Sequence, residues 1–335
     1  MSETPWSGRA VAVTGATGFI GTHVVAALRA RQVRVVSISR EANSDRMSGV
    51  EHHCIDIESE KAAELLARSF DGVSSVVHLA GRAHFLRVRS GTDRDAQSAS
   101  HVQGTRACLE AAQLAGIERF IFLSSVGAVA QQSRDVLTDA TSPTPSTAYG
   151  RAKLEAERLV TAAGLASGFH TAILRAPTVY GAGMRGNPLR LFRLVDSGLP
   201  LPLGGIENLR SVLYVENLVD AIMAELEAPP RVAPSFVSDG PPLSTTAFVR
   251  HIADALGRPS RLVRVPPAFW RIARTVSGHV PSFIPNPLSA NAIVGLTGTL
   301  MVDERPFWNS VGMSPQWTTL SGIEKTGQWY LKRAT

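Results

Sequence analysis

The stretch Thr14-Gly-Ala-Thr-Gly-Phe-Ile-Gly21 decides the reading of this chain. It follows the apolar, β-branched run Arg9 to Thr14 and opens a segment, Phe19 to Arg31, whose apolar residues recur at helical spacing. A strand, a glycine-rich turn and a helix in that order form the unit that receives a dinucleotide. Gly15 permits the tight turn, Gly18 lets backbone approach a pyrophosphate, and Gly21 lets the helix pack closely on the sheet. The first helical N–H groups then face the anion. Thr17, Phe19 and Ile20 fill the intervening positions and are expected to line the same cofactor. The spacing is GxxGxxG rather than GxGxxG. A glycine triplet is weak evidence alone, since the chain has 28 glycines. Its place between strand and helix gives it weight.

Outward from this turn, strand and helix patterns alternate. Val33 to Ser39, Cys54 to Ile57, Ser75 to Ala80 and Arg119 to Ser124 read as strands, while Lys61 to Phe70 and Val102 to Ala115 read as helices. Such alternation predicts an α/β fold with a doubly wound parallel sheet of Rossmann type. Ligands then lie at the carboxyl ends of the strands. From about residue 178 the chain becomes dense in Gly and Pro, and helical patterns return at Glu216 to Glu227, Thr245 to Leu256 and Ala268 to Val276. Residues 8–177 are read as the dinucleotide-binding domain. Residues 178–330 are read as a smaller, mainly substrate-binding α/β domain, with segments that return to the first.

The second strand ends at Ser39-Arg40-Glu41, and Arg40 lies 19 residues after Gly21. A guanidinium there suits the 2′-phosphate of NADP, which is the preferred cofactor, while Glu41 keeps NAD open. Asp56 either accepts from the adenine amino group or forms a turn; Ile57 follows it. Leu79, Ala80 and Gly81 close the fourth strand with small or apolar residues over which a cofactor lies.

Tyr149 and Lys153, in YGRAK, are four residues apart and so share a helix face. A nearby ammonium and an oxidised nicotinamide would lower the phenol's pKa and make Tyr149 an acid or base near neutrality. Ser124 and Ser125 end the fifth strand, where a hydroxyl can bond a substrate carbonyl. Five residues of YxxxK arise by chance often. With the glycine turn upstream and a Ser pair between them, they describe proton transfer beside a hydride carrier.

The composition fits a soluble globular protein that can bury a core, 44% hydrophobic and 19% charged over 335 residues. The net charge is +6 and the pI about 9.8, but Lys and Arg form no block, which argues against nucleic acid as a partner. Two cysteines, Cys54 and Cys108, make no framework and fit a reducing cytoplasm. No apolar run reaches the roughly 18 residues of a membrane span. His78 and His84 lack a third ligand at zinc spacing, so no metal is expected. The helix around Phe269, Trp270, Arg271 and Arg274 is expected to pack on the substrate domain rather than touch a membrane, and the adjoining PSFIPNPL reads as a candidate lid.

TGATGFIG, HLAG, LSSV, YGRAK and LRAPTVYGAG, in this order, resemble the extended short-chain dehydrogenase/reductase family, in its branch of sugar-nucleotide epimerases, dehydratases and reductases. The segment from MRGNPLRLF to ENLVDAI is similar to bacterial surface-polysaccharide enzymes that act on UDP-linked hexoses. The resemblance implies Tyr149 as acid/base, Lys153 on the nicotinamide ribose, and Ser125 on the reacting oxygen. It implies Arg210 on the substrate diphosphate, Asn187 and Leu203 near the nucleotide, and Thr178 where the family often has Asn. It also implies a homodimer through the two long helices that end the first domain. His101 stands where the family often has Asn, Ala128-Val-Ala130 replaces VYG, and Ala152 replaces Ser. Arg40 tilts the expected reaction toward reduction of the C4 ketone of a UDP-linked 4-keto-6-deoxy-N-acetylhexosamine. A UDP-hexose 4-epimerase with tightly bound NAD is the alternative, and a non-catalytic cofactor-binding scaffold the third.

Overall fold

The first strand, β1 (Ala10–Thr14), is wholly buried, as its unbroken apolar run requires. It feeds α1 (Phe19–Ala30), which turns Gly21, Val24, Val25 and Leu28 inward. Then come β2 (Arg34–Ser39), β3 (Glu51–Cys54), α2 (Ala62–Ser69), β4 (Ser75–His78), α3 (Gly91–Leu114) and β5 (Arg119–Ser125). The short β6 (Val136–Leu137), α4 (Ala148–Ser167) and β7 (His170–Ala176) complete this half. The computed structural model describes residues 9–41, 49–81, 91–230, 233–279 and 290–334.

Among the described residues the main sheet has seven strands, parallel throughout. The strand order reads β3, β2, β1, β4, β5, β7 and then β11 (Ser235–Phe236). The chain runs from β1 outward to β2 and β3, then crosses back through α2 to β4 on the other side of β1. Their carboxyl ends form the switch point where such sheets bind ligands. One apolar layer packs α1 on the sheet around Val11, Val13 and Ile121. The other packs α2, α3 and α4 around Ala12, Val76 and Phe120.

The third strand lies earlier than the sequence predicts. Glu51 to Cys54 pair with Val36 to Ser39, and the chain then leaves the sheet. Asp56, expected near its end, instead accepts the Glu58 N–H at 3.1 Å and holds a turn.

The remaining chain supplies β8 (Thr178–Tyr180), α5 (Asn187–Asp196), β9 (Leu201–Gly204), β10 (Val212–Tyr214) and α6 (Val215–Glu227). After β11 come α7 (Thr245–Ala255), β12 (Leu262–Arg264), α8 (Pro267–His279) and α9 (Ala290–Thr297). The chain closes with β13 (Met301–Val302), α10 (Arg305–Ser310) and α11 (Thr319–Ala334). After residue 178 it returns to the main sheet at α6, at β11 and at α10, whose Phe307 and Trp308 join the same apolar layer. Leu218, Val219 and Ile222 of α6 join the core under α1, and β11 pairs with β7. A second core, around Tyr180, Phe192, Tyr214 and Ile252, belongs to the smaller lobe. Asp239 ties that lobe together, accepting from Tyr180 Oη at 2.9 Å, Asn217 Nδ2 at 2.7 Å and the Tyr214 N–H at 2.8 Å.

The helix α8 packs on the smaller lobe through one face. It packs against α9, and Trp270 reaches the smaller core. Phe269, Ile272 and Val276, however, are 40%, 63% and 58% exposed. The PSFIPNPL stretch and His84 lie outside the described residues. No helix among the described residues is long and apolar enough to cross a membrane.

Gly21 is the tightest joint between α1 and β1. A Cβ there would strike the Gly15 carbonyl and come within 2.7 Å of the Ala16 Cα, both backbone atoms that cannot swing aside. Gly21→Ala is expected to lower stability by about 1–3 kcal/mol through forced backbone displacement. A urea-denaturation midpoint equal to wild type would contradict this packing.

Candidate active site

A continuous furrow runs along the carboxyl edge of the sheet and into the smaller lobe, as three joined compartments. The first, about 400 Å³, lies over β1, β2 and β4 and is lined by Gly15, Thr17, Gly18, Ser39, Arg40, Glu41, Ile57, Leu79, Ala80, Gly81, His101 and Arg185. The second, about 390 Å³, shares Gly15, Gly18, Gly81 and His101 and adds Phe19, Ile20, Gly21, Ser125, Tyr149 and Lys153. The third, about 160 Å³, shares Thr178 and Asn187 with the second and extends to Arg190, Arg210, Phe248 and Leu296. Asp56 and Leu203 line none of them. Leu203 sits on β9, is 4% exposed, and points into the second core.

The first two compartments fit a dinucleotide on the chain's own terms. Gly15 has φ of +70°, and its Cβ would lie 2.9 Å from the Ala80 N, so the turn presses against the end of β4 where no side chain fits. The helix α1 starts at Gly18 with no side-chain cap and no acidic residue in its first turn. Its free N–H groups and positive end therefore face the furrow without an internal partner, a ready site for a diphosphate. Below this turn Thr14 Oγ1 lies 2.7 Å from His78 Nδ1, and His78 Nε2 lies 3.2 Å from Thr105 Oγ1. Burial pulls the His78 pKa down to about 3, so this ring is a neutral strut, used up in stitching β1, β4 and α3 together.

The chemistry gathers where β5 meets α4. Ser125 ends the strand, and its Oγ accepts the Gly127 N–H at 3.1 Å. Thr147 caps α4, its side chain accepting the Gly150 N–H at 3.0 Å, which sets Tyr149 in the first turn facing Ser125. Tyr149 is hydrogen-bonded to Ser125. Burial raises its pKa above the ordinary phenol value, and the Ser125 hydrogen bond opposes that only in part. The lowering expected from the sequence calls on the charge of an oxidised nicotinamide as well as on Lys153, whose ammonium is held by backbone. Its Nζ donates to the Leu123 carbonyl at 2.9 Å and lies 4.6 Å from the centroid of the Phe122 ring. Burial pulls the Lys153 pKa down to about 8, and the Glu157 carboxylate, one turn on, pulls the other way.

Sequence reading missed the group that holds Glu157. Arg175 on β7 grips this carboxylate with its Nη2 at 2.7 Å, the two side chains being 5% and 3% exposed. Ser124 Oγ donates to the same carboxylate at 2.5 Å. Tyr149, Lys153 and Glu157 thus form one stripe of α4, anchored at its inner end by a buried ion pair. His101 lies edge-on to Tyr149, the ring centroids 6.4 Å apart, and its ring borders Gly81. Arg185 and Arg190 were also missed, since only their place in the folded furrow marks them. Arg210 Nη1 donates to the Gly298 carbonyl at 2.9 Å, and burial brings its pKa down to about 10, which leaves it charged at neutral pH.

Tyr149→Phe is expected to lower kcat at least about 100-fold with little change in KM, as loss of a positioned proton donor does. Lys153 loses its proton as pH rises through about 8, so kcat/KM of the free enzyme is expected to fall there. Glu157→Gln removes the countercharge that keeps that proton and is expected to move this limb to lower pH. A limb that stays in place would show that Glu157 does not act through Lys153.

Residues 11–236 match the model of the NAD dependent epimerase/dehydratase family. The chain is 30% identical over 328 residues to a UDP-glucose 4-epimerase of Vibrio cholerae, covering 97% of this chain and 96% of the relative. It is 28% identical over 83% of its length, and 78% of the relative's, to a 3 beta-hydroxysteroid dehydrogenase/Delta 5-->4-isomerase of Mycobacterium tuberculosis. Among solved structures, MoeE5 in complex with UDP-glucuronic acid and NAD superposes with a TM-score of 0.77 at 26% identity, covering 97% of this chain and all of that one. The UDP-glucose 4-epimerase of Thermotoga maritima, at 20% identity and a TM-score of 0.79 over 97% of this chain and 100% of its own, shares the fold. The family model spans both β1 and the Tyr149–Lys153 helix, and the Vibrio relative extends the match through the smaller lobe: the chain belongs to the NAD-dependent epimerase/dehydratase family.

Proposed function

We propose that this protein is an NAD-dependent enzyme that oxidises and reduces C4 of a UDP-linked hexose, and in its simplest form a UDP-hexose 4-epimerase. The observation that carries the reading is the position of Ser125, Tyr149 and Lys153. They stand in the middle compartment, between a dinucleotide cradle on one side and an Arg-lined pocket on the other. The similarity to a UDP-glucose 4-epimerase along 97% of the chain supports the substrate class.

The glycine turn, the end of β4 and Lys153 would hold NAD, which would supply a reversible hydride acceptor. The chain's residues handle the proton. Ser125 holds the reacting oxygen, and Tyr149 takes its proton when the alcohol is oxidised and returns it when the ketone is reduced. Lys153, together with the oxidised nicotinamide beside it, would supply the positive charge that lets a buried phenol release a proton near neutrality. Thr178, Asn187, Arg190 and Arg210 stand where the substrate's nucleotide and diphosphate would lie, with Phe248 as an apolar wall. A homodimer through the outer faces of α3 and α4 is part of the same proposal, with sedimentation as its measurement.

Arg40 favours a second reading, a reductase of a UDP-linked 4-keto-6-deoxy-N-acetylhexosamine drawing on NADPH. Its side chain is exposed at the rim of the first compartment, beside Glu41. The relation to an NAD-dependent family weighs for NAD.

Purified protein separates the two readings. The epimerase is expected to retain NAD through purification and to interconvert UDP-glucose and UDP-galactose without added cofactor. Consumption of NADPH by the 4-keto sugar, with no interconversion, would replace that reading with the second. In that case Arg40→Ala would raise KM for NADPH at least about tenfold and leave NADH unaffected, as loss of a charge-assisted phosphate contact does. Failure of both assays would leave a binding protein on the same fold.

A further inference from the structure

The first and second compartments meet at a waist. The residues that line both are Gly15, Gly18, Leu79, Gly81, His101 and Arg185. One wall of the waist is the uncapped start of α1. A dinucleotide that fills both compartments passes its diphosphate through here. Among the described residues, Arg185 and His101 are the ionisable side chains common to both compartments. Arg185 comes from the opposite lobe, on the loop between β8 and α5, more than 160 residues from the glycine turn.

The loop is built to stay over the waist. Gly183 and Gly186 flank Met184-Arg185 with φ of +82° and +70°, conformations that fold the segment back toward α1. Met184 is fully buried and anchors it from below. A Cβ on Gly183 would rest 3.6 Å from the Phe19 ring, so the loop lies directly on the first residue of α1. His23, one turn further along α1, fastens the loop from the side. Its Nε2 reaches the Ala182 carbonyl at 2.8 Å and its Nδ1 the Glu216 carboxylate at 2.7 Å. Both partners are acceptors, so the ring satisfies them together only when both nitrogens carry protons. Burial lowers the His23 pKa, but the Glu216 carboxylate and the Ala182 carbonyl outweigh it, and the net shift is upward.

We infer that Arg185 clasps the cofactor's diphosphate against the start of α1 and slows release of the dinucleotide. The helix end offers fixed N–H donors from one side, and the guanidinium offers a planar fork of donors and a full charge from the other. The residue binds cofactor and takes no part in proton transfer. The inference rests on the reading of the first two compartments as the dinucleotide site.

Binding of ADP-ribose, adenosine, NADH and UDP to the full-length wild type and to Arg185→Gln, by calorimetry, tests it. Arg185 is exposed, so the substitution leaves the fold intact. ADP-ribose and NADH affinity are expected to fall about tenfold or more, the loss of a charge-assisted contact to phosphate, with NADH dissociating faster in stopped flow. Adenosine and UDP affinity are expected to hold, and Arg185→Lys, which keeps the charge without the fork, to fall between. Wild-type protein that binds neither ADP-ribose nor NADH would refute the cofactor reading itself. Wild type that binds them, with Arg185→Gln binding them equally well, would overturn the clasp alone. Loss of UDP affinity with ADP-ribose unchanged would assign Arg185 to the substrate's diphosphate and also overturn it.

Discussion

The structure turns on one constraint: α1 must begin immediately where β1 ends, at the sheet's switch point, with nothing capping it. Gly15 and Gly21 make this possible by letting backbone press on backbone. Any side chain at either position meets atoms of Ala80, Ala16 or Gly15 itself. The consequence is electrostatic. An uncapped helix end carries roughly half a positive charge, and here it faces a furrow instead of an internal carboxylate. Around it stand a floor of small or apolar residues, Leu79 to Gly81, the end of β2, His101 from α3, and Arg185 returning from the smaller lobe.

The stripe of Tyr149, Lys153 and Glu157 on α4 obeys a second requirement, which the first does not supply. A buried lysine is costly to charge, and Lys153 is brought down to about 8 by burial. The chain offsets this with Glu157 one turn inward, and then must stabilise Glu157 with Arg175 and Ser124. A buried pair of this kind adds little net stability, but losing one partner strands a charge and costs about 3–5 kcal/mol. The pair is therefore better understood as fixing the place and charge of Lys153 than as a stabiliser. Without a bound cofactor, burial keeps the Tyr149 proton on, which matches a site that becomes basic only once its positive partner is in place.

Much of this was legible in the sequence because it is local. A glycine turn announces itself in eight residues, and Tyr149 and Lys153 share a face through helix geometry alone. The far wall was not legible. Arg185, Arg190 and Phe248 enter the furrow through contacts between segments distant in the chain, and no spacing marks them. Leu203 shows the converse. The resemblance placed it near the nucleotide, but alternation along β9 turns it into the apolar core, where its carbonyl accepts from Thr246 at 2.7 Å. Asp56 holds the turn that its residue type allows. The third strand slipped earlier because Glu51 and the two histidines after it pair well at a half-exposed edge although they look unlike a strand.

The central claim is that a dinucleotide and the Ser125–Tyr149–Lys153 set act together on one ring carbon. The most direct measurement uses UDP-glucose carrying deuterium at C4. The account predicts UDP-galactose that keeps the deuterium at C4, since the hydride leaves and returns within the furrow while Tyr149 exchanges only the oxygen's proton. Product that has lost deuterium from C4 to solvent would contradict it, because the hydrogen on carbon would then have travelled as a proton.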